Sequence, residues 1–140
     1  MRAMIVVVGV AVSSVGACAP VETAPPSTFT EVYEAFFPAE TRGQCNQCHA
    51  NPPNDISNGL LSMGTDPDTA YQALVGVTST SSRCGGGVLV VAGDPEASLL
   101  FTKTAAEPDC GGRMPLGGTA LTDVEREMIH SWIAAGAEQN

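Results

Sequence analysis

Charged and aromatic side chains are scarce in this chain, at 15% and 5% of its 140 residues, while glycine reaches 15 and proline 10. So few bulky side chains exclude a large self-sufficient apolar core. They favour a turn-rich domain that a cofactor or a crosslink helps to hold. The length suits one compact domain and is too short for two. Lys and Arg number 6 against 15 Asp and Glu, and they nowhere cluster, which speaks against a nucleic-acid partner. The net charge of −9 suits encounter with a basic patch on a partner protein. It suits plain solubility equally well. With only 2 histidines, imidazole chemistry falls to His49 or His130. No internal repeat is visible.

What is present begins with Arg2 as a minimal positive region, an apolar and Gly stretch from Met4 to Val12, and small residues after it. That stretch is too short to span a bilayer comfortably and reads as an export signal. It ends in Val15-Gly16-Ala17-Cys18, which resembles the lipobox of bacterial lipoproteins. The resemblance implies that residues 1–17 are a signal peptide and that Cys18 is acylated and becomes the N-terminus. Ordinary signal cleavage with an incidental Cys18 is the other reading. Each buried methylene contributes about 0.8 kcal/mol, and one acyl chain alone anchors only marginally, so several chains are needed for a firm hold. The expectation is an exported protein, lipid-anchored and facing the periplasm. Ala19 stands where lipoproteins kept at the inner membrane of some bacteria have Asp, which favours the outer membrane. Residues 18–28 then form the acylated N-terminus and a stiff tether containing Pro20, Pro25 and Pro26, and the folded domain occupies 29–140.

Within that domain the pattern is mainly α, with short helices and long Gly-rich loops. A first helix is expected from Glu31 to Phe37, with Phe29, Val32, Tyr33 and Phe36 on one face and Pro38 as its stop. Asp66-Pro67 starts a second that ends near Gly76 and buries Ala70, Tyr71, Leu74 and Val75. Asp94-Pro95 repeats that start for a third carrying Leu99, Leu100 and Phe101. The last opens on a capping box of Thr122 and Glu125, aligns Val124, Met128, Ile129, Trp132 and Ile133, and closes at Gly136. A short extended run is expected over Val88 to Val91.

Cys45-Asn46-Gln47-Cys48-His49 is the C-x-x-C-H attachment signature of c-type haem. On one helical turn, residues three apart share a face, so both thiols reach the two vinyl groups of one porphyrin. The imidazole of His49 follows as the proximal iron ligand. Thioether bonds hold the cofactor where apolar burial is too sparse to do so. A bare C-x-x-C also fits a redox pair or half a zinc site. His130, on the last helix, reads as a solvated or packed residue.

A sixth iron ligand is commonly the thioether of methionine, which raises the reduction potential. Met63, Met114 and Met128 are the candidates. Met128 lies on an apolar helix face and Met63 in a Leu-rich stretch, where packing is the default role. Met114 stands in Gly111-Gly112-Arg113-Met114-Pro115. There the glycines let backbone approach the haem face and Pro115 sets the direction of the chain beyond it. Met114 is the preferred distal ligand.

From Phe29 to Ala137 the chain resembles the class I c-type cytochrome family, especially its small lipoprotein-borne members. The resemblance rests on the ordered combination of Cys45 to His49, Gly93-Asp94-Pro95 with Ser98-Leu99-Leu100, Met114-Pro115, and Leu121 through Trp132-Ile133 to Gly136-Ala137. It implies a cytochrome c-like fold with N- and C-terminal helices crossing beside the haem. It also implies one covalent haem c, held by Cys45 and Cys48, with His49 and Met114 as axial ligands. Many members place a Pro after the motif whose carbonyl orients the histidine. Here Pro52 and Pro53 compete for that role without the usual context.

Of 5 cysteines, one is assigned to lipid and two to haem, which leaves Cys84 and Cys110. In an oxidising compartment such a pair is expected as a disulfide. It would close a loop of roughly 25 residues, contribute about 3 kcal/mol, and brace the loop carrying Met114. Two free thiols are the alternative. Arg83 and Arg113 adjoin these loops and could pair with haem propionates or stay solvated.

Three functions compete at this point. An electron carrier, not an enzyme, needs a redox partner protein and no small-molecule substrate. A haem enzyme or gas sensor requires an open distal position, and no acid–base pair is recognisable near the motif to support peroxidase chemistry. A structural zinc module would use Cys45, Cys48, Cys84 and Cys110 and leave His49 idle.

Overall fold

The computed structural model describes residues 24–50 and 60–140. The expected signal peptide, Cys18 and the first part of the tether lie outside the described residues, as do Pro52 and Pro53.

Helix α1 spans Phe29–Phe36, two residues earlier than its apolar spacing suggested. The cause is a cap. Thr28 Oγ1 accepts from the Glu31 N–H at 3.1 Å and the Glu31 carboxylate accepts from the Thr28 N–H at 2.8 Å, satisfying two orphan donors at once. Phe29, Val32, Tyr33 and Phe36 are its buried face. Helix α2 is the five-residue segment Cys45–His49, and α3 runs over Pro67–Leu74 behind an Asp66 cap whose carboxylate accepts from the Thr69 N–H at 2.9 Å. Ala70 and Leu74 are buried on α3, with Tyr71 and Val75 half-buried beside them.

The third expected helix starts later than Asp94-Pro95. Asp94 Oδ1 accepts from the Ala97 N–H, and Ser98 N–H donates to the Pro95 carbonyl, so this segment is a tight turn. The hydroxyl of the buried Ser98 donates to the Asp94 carbonyl at 2.7 Å and locks the turn in place. Helix α4 then covers only Leu99–Thr102.

Helix α5, Asp123–Ala134, carries the expected Thr122–Glu125 capping box. Ile129, Trp132 and Ile133 are buried, and Met128 packs at the edge of the core. Val124 is not part of that face: at 76% exposure it lies in the first turn among solvated cap residues. The helix ends in a Schellman motif. Gly136 N–H donates to the Ile133 carbonyl and Ala137 N–H to that of Trp132, with Gly136 at φ +111°.

The few aromatics are concentrated in one place. Phe29 meets Trp132 and Tyr71 at ring centroid distances of 5.2 Å each, and Phe37 at 6.2 Å. This cluster joins α1, α3 and α5, the pairs that pack together in the core. Rings of this size supply most of the apolar burial that a small domain has. The Trp132 indole N–H donates to the Glu138 carbonyl, and Tyr71 Oη to that of Ala137. Phe29 N–H donates to Asn140 Oδ1 at 2.8 Å, so the segment after α5 lies across the start of α1.

Between these helices the expected extended run appears as isolated bridges, Val75 with Val90, Thr78 with Val88 and Val91 with Asp94. Among the described residues there is no longer strand, and the mainly α reading stands.

Candidate functional site

The turn entering α2 is shaped by a close approach. A Cβ at Gly43 would lie 2.4 Å from the Phe36 carbonyl oxygen and 2.7 Å from Phe36 Cα, so only glycine lets the chain press onto the end of α1. Gln44 then takes a left-handed conformation at φ +49°, which is uncommon for a residue with a Cβ. Asn46 N–H donates to the Phe37 carbonyl at 2.9 Å and Gln47 Nε2 to that of Ala39 at 3.0 Å. These contacts bind the short helix to the end of α1 and to the loop behind it. On α2, Cys45 and Cys48 are one turn apart and both are free thiols. Burial pushes the Cys45 thiol up to about 12, with its backbone hydrogen bond opposing and Cys48 adding to the rise. At neutral pH it is a neutral thiol.

His49 is held in one tautomer. Its Nδ1 lies 3.1 Å from the Leu61 carbonyl oxygen. A carbonyl can only accept, so Nδ1 carries a proton, and in the neutral imidazole Nε2 presents its lone pair. Metal-binding imidazoles are oriented by this same arrangement. The backbone closes the pair from the other side, where Met63 N–H donates to the His49 carbonyl at 2.6 Å. Pro52 and Pro53, weighed for orienting the histidine, lie outside the described residues; the Leu61 carbonyl is the partner the structure shows for Nδ1. Met63 is 2% exposed and packs in the core, as its neighbours suggested.

Cys84 and Cys110 are joined in a disulfide with their Cα atoms 5.1 Å apart. Cys84 ends a 3-10 turn, Ser82–Cys84, that sequence patterning did not reveal. On the other side of the bond begins the loop of Met114. Lys103 Nζ donates to the Cys110 carbonyl at 2.8 Å, and Met114 N–H donates to the Lys103 carbonyl at 2.8 Å. Partial burial holds the Lys103 ammonium below its ordinary pKa. The Gly111-Gly112 pair has a local reason: a Cβ at Gly111 would lie 2.9 Å from Lys103 Nζ, and one at Gly112 3.0 Å from Leu116 Cδ1. Met114 itself is half-buried.

The loop before α2 and the loop after Met114-Pro115 share a cleft. Gln44, the neighbour of Cys45, lines a cleft of about 530 Å³ together with Arg42 and with Gly117, Gly118 and Thr119, just beyond Met114-Pro115. Half-covered apolar side chains, including Leu61, Leu99, Leu100 and Phe101, border the core, while Leu60 and Leu116 are 48% and 70% exposed. Two free thiols on one turn and an imidazole oriented by a backbone carbonyl thus stand together on α2.

His130 is a packing residue, with its ring against Phe101, Nε2 3.4 Å from Glu96 and Nδ1 3.7 Å from Glu127. Arg126 covers another side of Phe101, 4.6 Å from the ring centroid. Among the described residues, neither Arg83 nor Arg113 makes an ion pair. The Cys₄ zinc arrangement does not form, because the disulfide takes two of its sulfurs. Among the described residues no group of three His, Cys, Asp or Glu side chains is placed to hold a metal ion. No described helix is long and apolar enough to cross a membrane.

Sequence reasoning missed the Leu61 acceptor, the Lys103 contacts and the tie from Gln47. A backbone carbonyl has no side-chain signature, so only the fold could reveal the first. Lys103 did carry a signal, since it is the chain's single lysine.

Comparison with protein-family models, with curated proteins and with solved structures finds no match to this chain.

Proposed function

We propose that this protein is an exported, lipid-anchored, single-haem c-type cytochrome that carries electrons and has no catalytic reaction of its own. The observation that carries the reading is α2. Two free thiols lie one turn apart, and the adjoining His49 has its Nδ1 proton committed to the Leu61 carbonyl, which leaves Nε2 for a metal. In this reading Cys45 and Cys48 would hold haem c through thioethers, and His49 and Met114 would bind its iron. Haem so bound supplies a one-electron ferric–ferrous couple. The protein's own residues orient the imidazole and brace the Met114 loop. Two axial protein ligands leave no site for a small-molecule substrate, so the partner is another redox protein, with a basic surface matched to the acidic domain. Acylated Cys18 and the tether over 18–28 would keep the domain at a periplasmic membrane surface, the outer membrane by preference.

A pyridine haemochrome spectrum combined with intact mass tests this on protein matured in a host that attaches haem c. The expected result is one haem per chain, retained in acidified organic solvent, with the added mass of acyl groups on Cys18. Colourless protein, or pigment released by the solvent, overturns the reading.

A further inference from the structure

The chain's one lysine is spent in an unusual way. With 15 acidic residues available, Coulomb attraction favours a carboxylate partner for an ammonium. Lys103 forms no ion pair among the described residues and donates instead to the Cys110 carbonyl at 2.8 Å. Its own backbone carbonyl lies just past the end of α4, where helix carbonyls lack intrahelical donors. That carbonyl accepts the Met114 N–H, also at 2.8 Å. One residue therefore grips both ends of the segment 110–114. The loop is shaped to receive it, because Gly111 sits at φ +62° and a side chain there would reach within 2.9 Å of Nζ. The disulfide ties Cys110 to Cys84 independently.

We propose that Lys103 is a positioning residue for Met114: by closing the 110–114 loop on itself it sets how firmly the thioether can serve as the sixth iron ligand. This rests on the cytochrome reading above. Lys103 does not touch the iron; it limits how far the loop strays from the conformation that presents Met114. A hydrogen bond from a charged donor is among the stronger kinds, and losing it lowers the population of the closed loop. An added ligand competing for the iron then binds more tightly by the same factor.

The test compares wild type, Lys103→Met, Lys103→Arg and Met114→Ala as haem-loaded, full-length proteins. Imidazole is titrated into the ferric form, and amide hydrogen exchange is followed over 110–114. Lys103→Met keeps the apolar stem and removes the donor. It should bind imidazole about tenfold more tightly and exchange the Met114 amide about tenfold faster, while Lys103→Arg falls between it and wild type. Imidazole affinity and exchange within about twofold of wild type in Lys103→Met overturn the proposal. If Met114→Ala leaves imidazole affinity unchanged, Met114 is not a ligand and the proposal fails, although a haemochrome signal would leave the cytochrome reading standing. Should Lys103→Met not fold, Gly111→Ala, which crowds the ammonium, carries the same two measurements with the same criteria.

Discussion

His49 Nδ1–H donates a hydrogen bond to the Leu61 carbonyl across 3.1 Å, at a sequence separation of 12. The bond chooses the tautomer, and the tautomer makes Nε2 available. In the cytochrome reading proposed above, removing the imidazole removes an iron ligand and leaves the thioethers. His49→Ala is expected to keep covalent haem and to lose the low-spin absorption of the wild type. Imidazole added to the solvent should restore that absorption in part. Identical spectra for variant and wild type, before imidazole is added, would mean that His49 is not bound to the iron.

Gly43 is where loop and helix touch. A methyl group there meets the backbone of Phe36, which has no rotamer to yield. Gly43→Ala should cost about 2 kcal/mol of stability in a denaturant titration, as overpacking does. In the cytochrome reading it should also reduce the fraction of chains that take up haem, because Cys45 follows this turn directly. A midpoint equal to that of wild type would show that the turn relaxes freely.

The face of α5 is open to a paired test. Trp132 is 1% exposed, stacks near Phe29 and donates to Glu138, whereas Val124 is 76% exposed. Trp132→Ala should lose about 3–5 kcal/mol. Val124→Ala should stay within about 0.5 kcal/mol of wild type. Similar losses in both variants would contradict the placement of the helix.

The Cys84–Cys110 bond closes a loop with a sequence separation of 26. The chain-entropy relation gives about 3.5 kcal/mol for a loop of this size. Replacing both cysteines by alanine should lower the unfolding free energy by about that amount in chemical denaturation. Thiol-specific mass labelling of unfolded, unreduced wild type should leave both cysteines unmodified. Labelling of either one shows that the bond is absent.

Glu125 makes acid stability readable. Desolvation raises its pKa, but hydrogen bonds from the Thr122 N–H and hydroxyl and the charge of Arg42 at 3.3 Å outweigh it, so the net shift is below the ordinary value of 4.5. A carboxyl depressed in the folded state stabilises above its unfolded pKa, and that contribution is lost as pH falls through the folded value. Thermal midpoints should therefore drop on acidification from about pH 5 downward, and Glu125→Gln should flatten part of this slope. An unchanged slope in the variant would place the titration elsewhere.

Local chemistry was legible wherever it acts over a few residues. The α5 capping box, the Asp66 cap, the buried stripe of α1 and the closing Gly136 follow from spacing and side-chain type, and the structure shows each of them. The expected Cys84–Cys110 pair is joined in the structure. Asp94-Pro95 misled because the same dipeptide starts a helix or a turn, and the buried Ser98 hydroxyl selected the turn. Val124 misled because helical periodicity marks a face without saying where along it the neighbouring elements end.

The C-x-x-C-H turn belongs to the sequence alone, since three-residue spacing on a helix puts both thiols on one side whatever surrounds them. The order of helices and their caps is likewise local. Which carbonyl orients His49, why Gly43 must be glycine, and what holds the Met114 loop were decided by the tertiary structure. Those answers depend on atoms far apart in the chain arriving within 3 Å or so of one another, and no pattern of neighbouring residues encodes such a meeting.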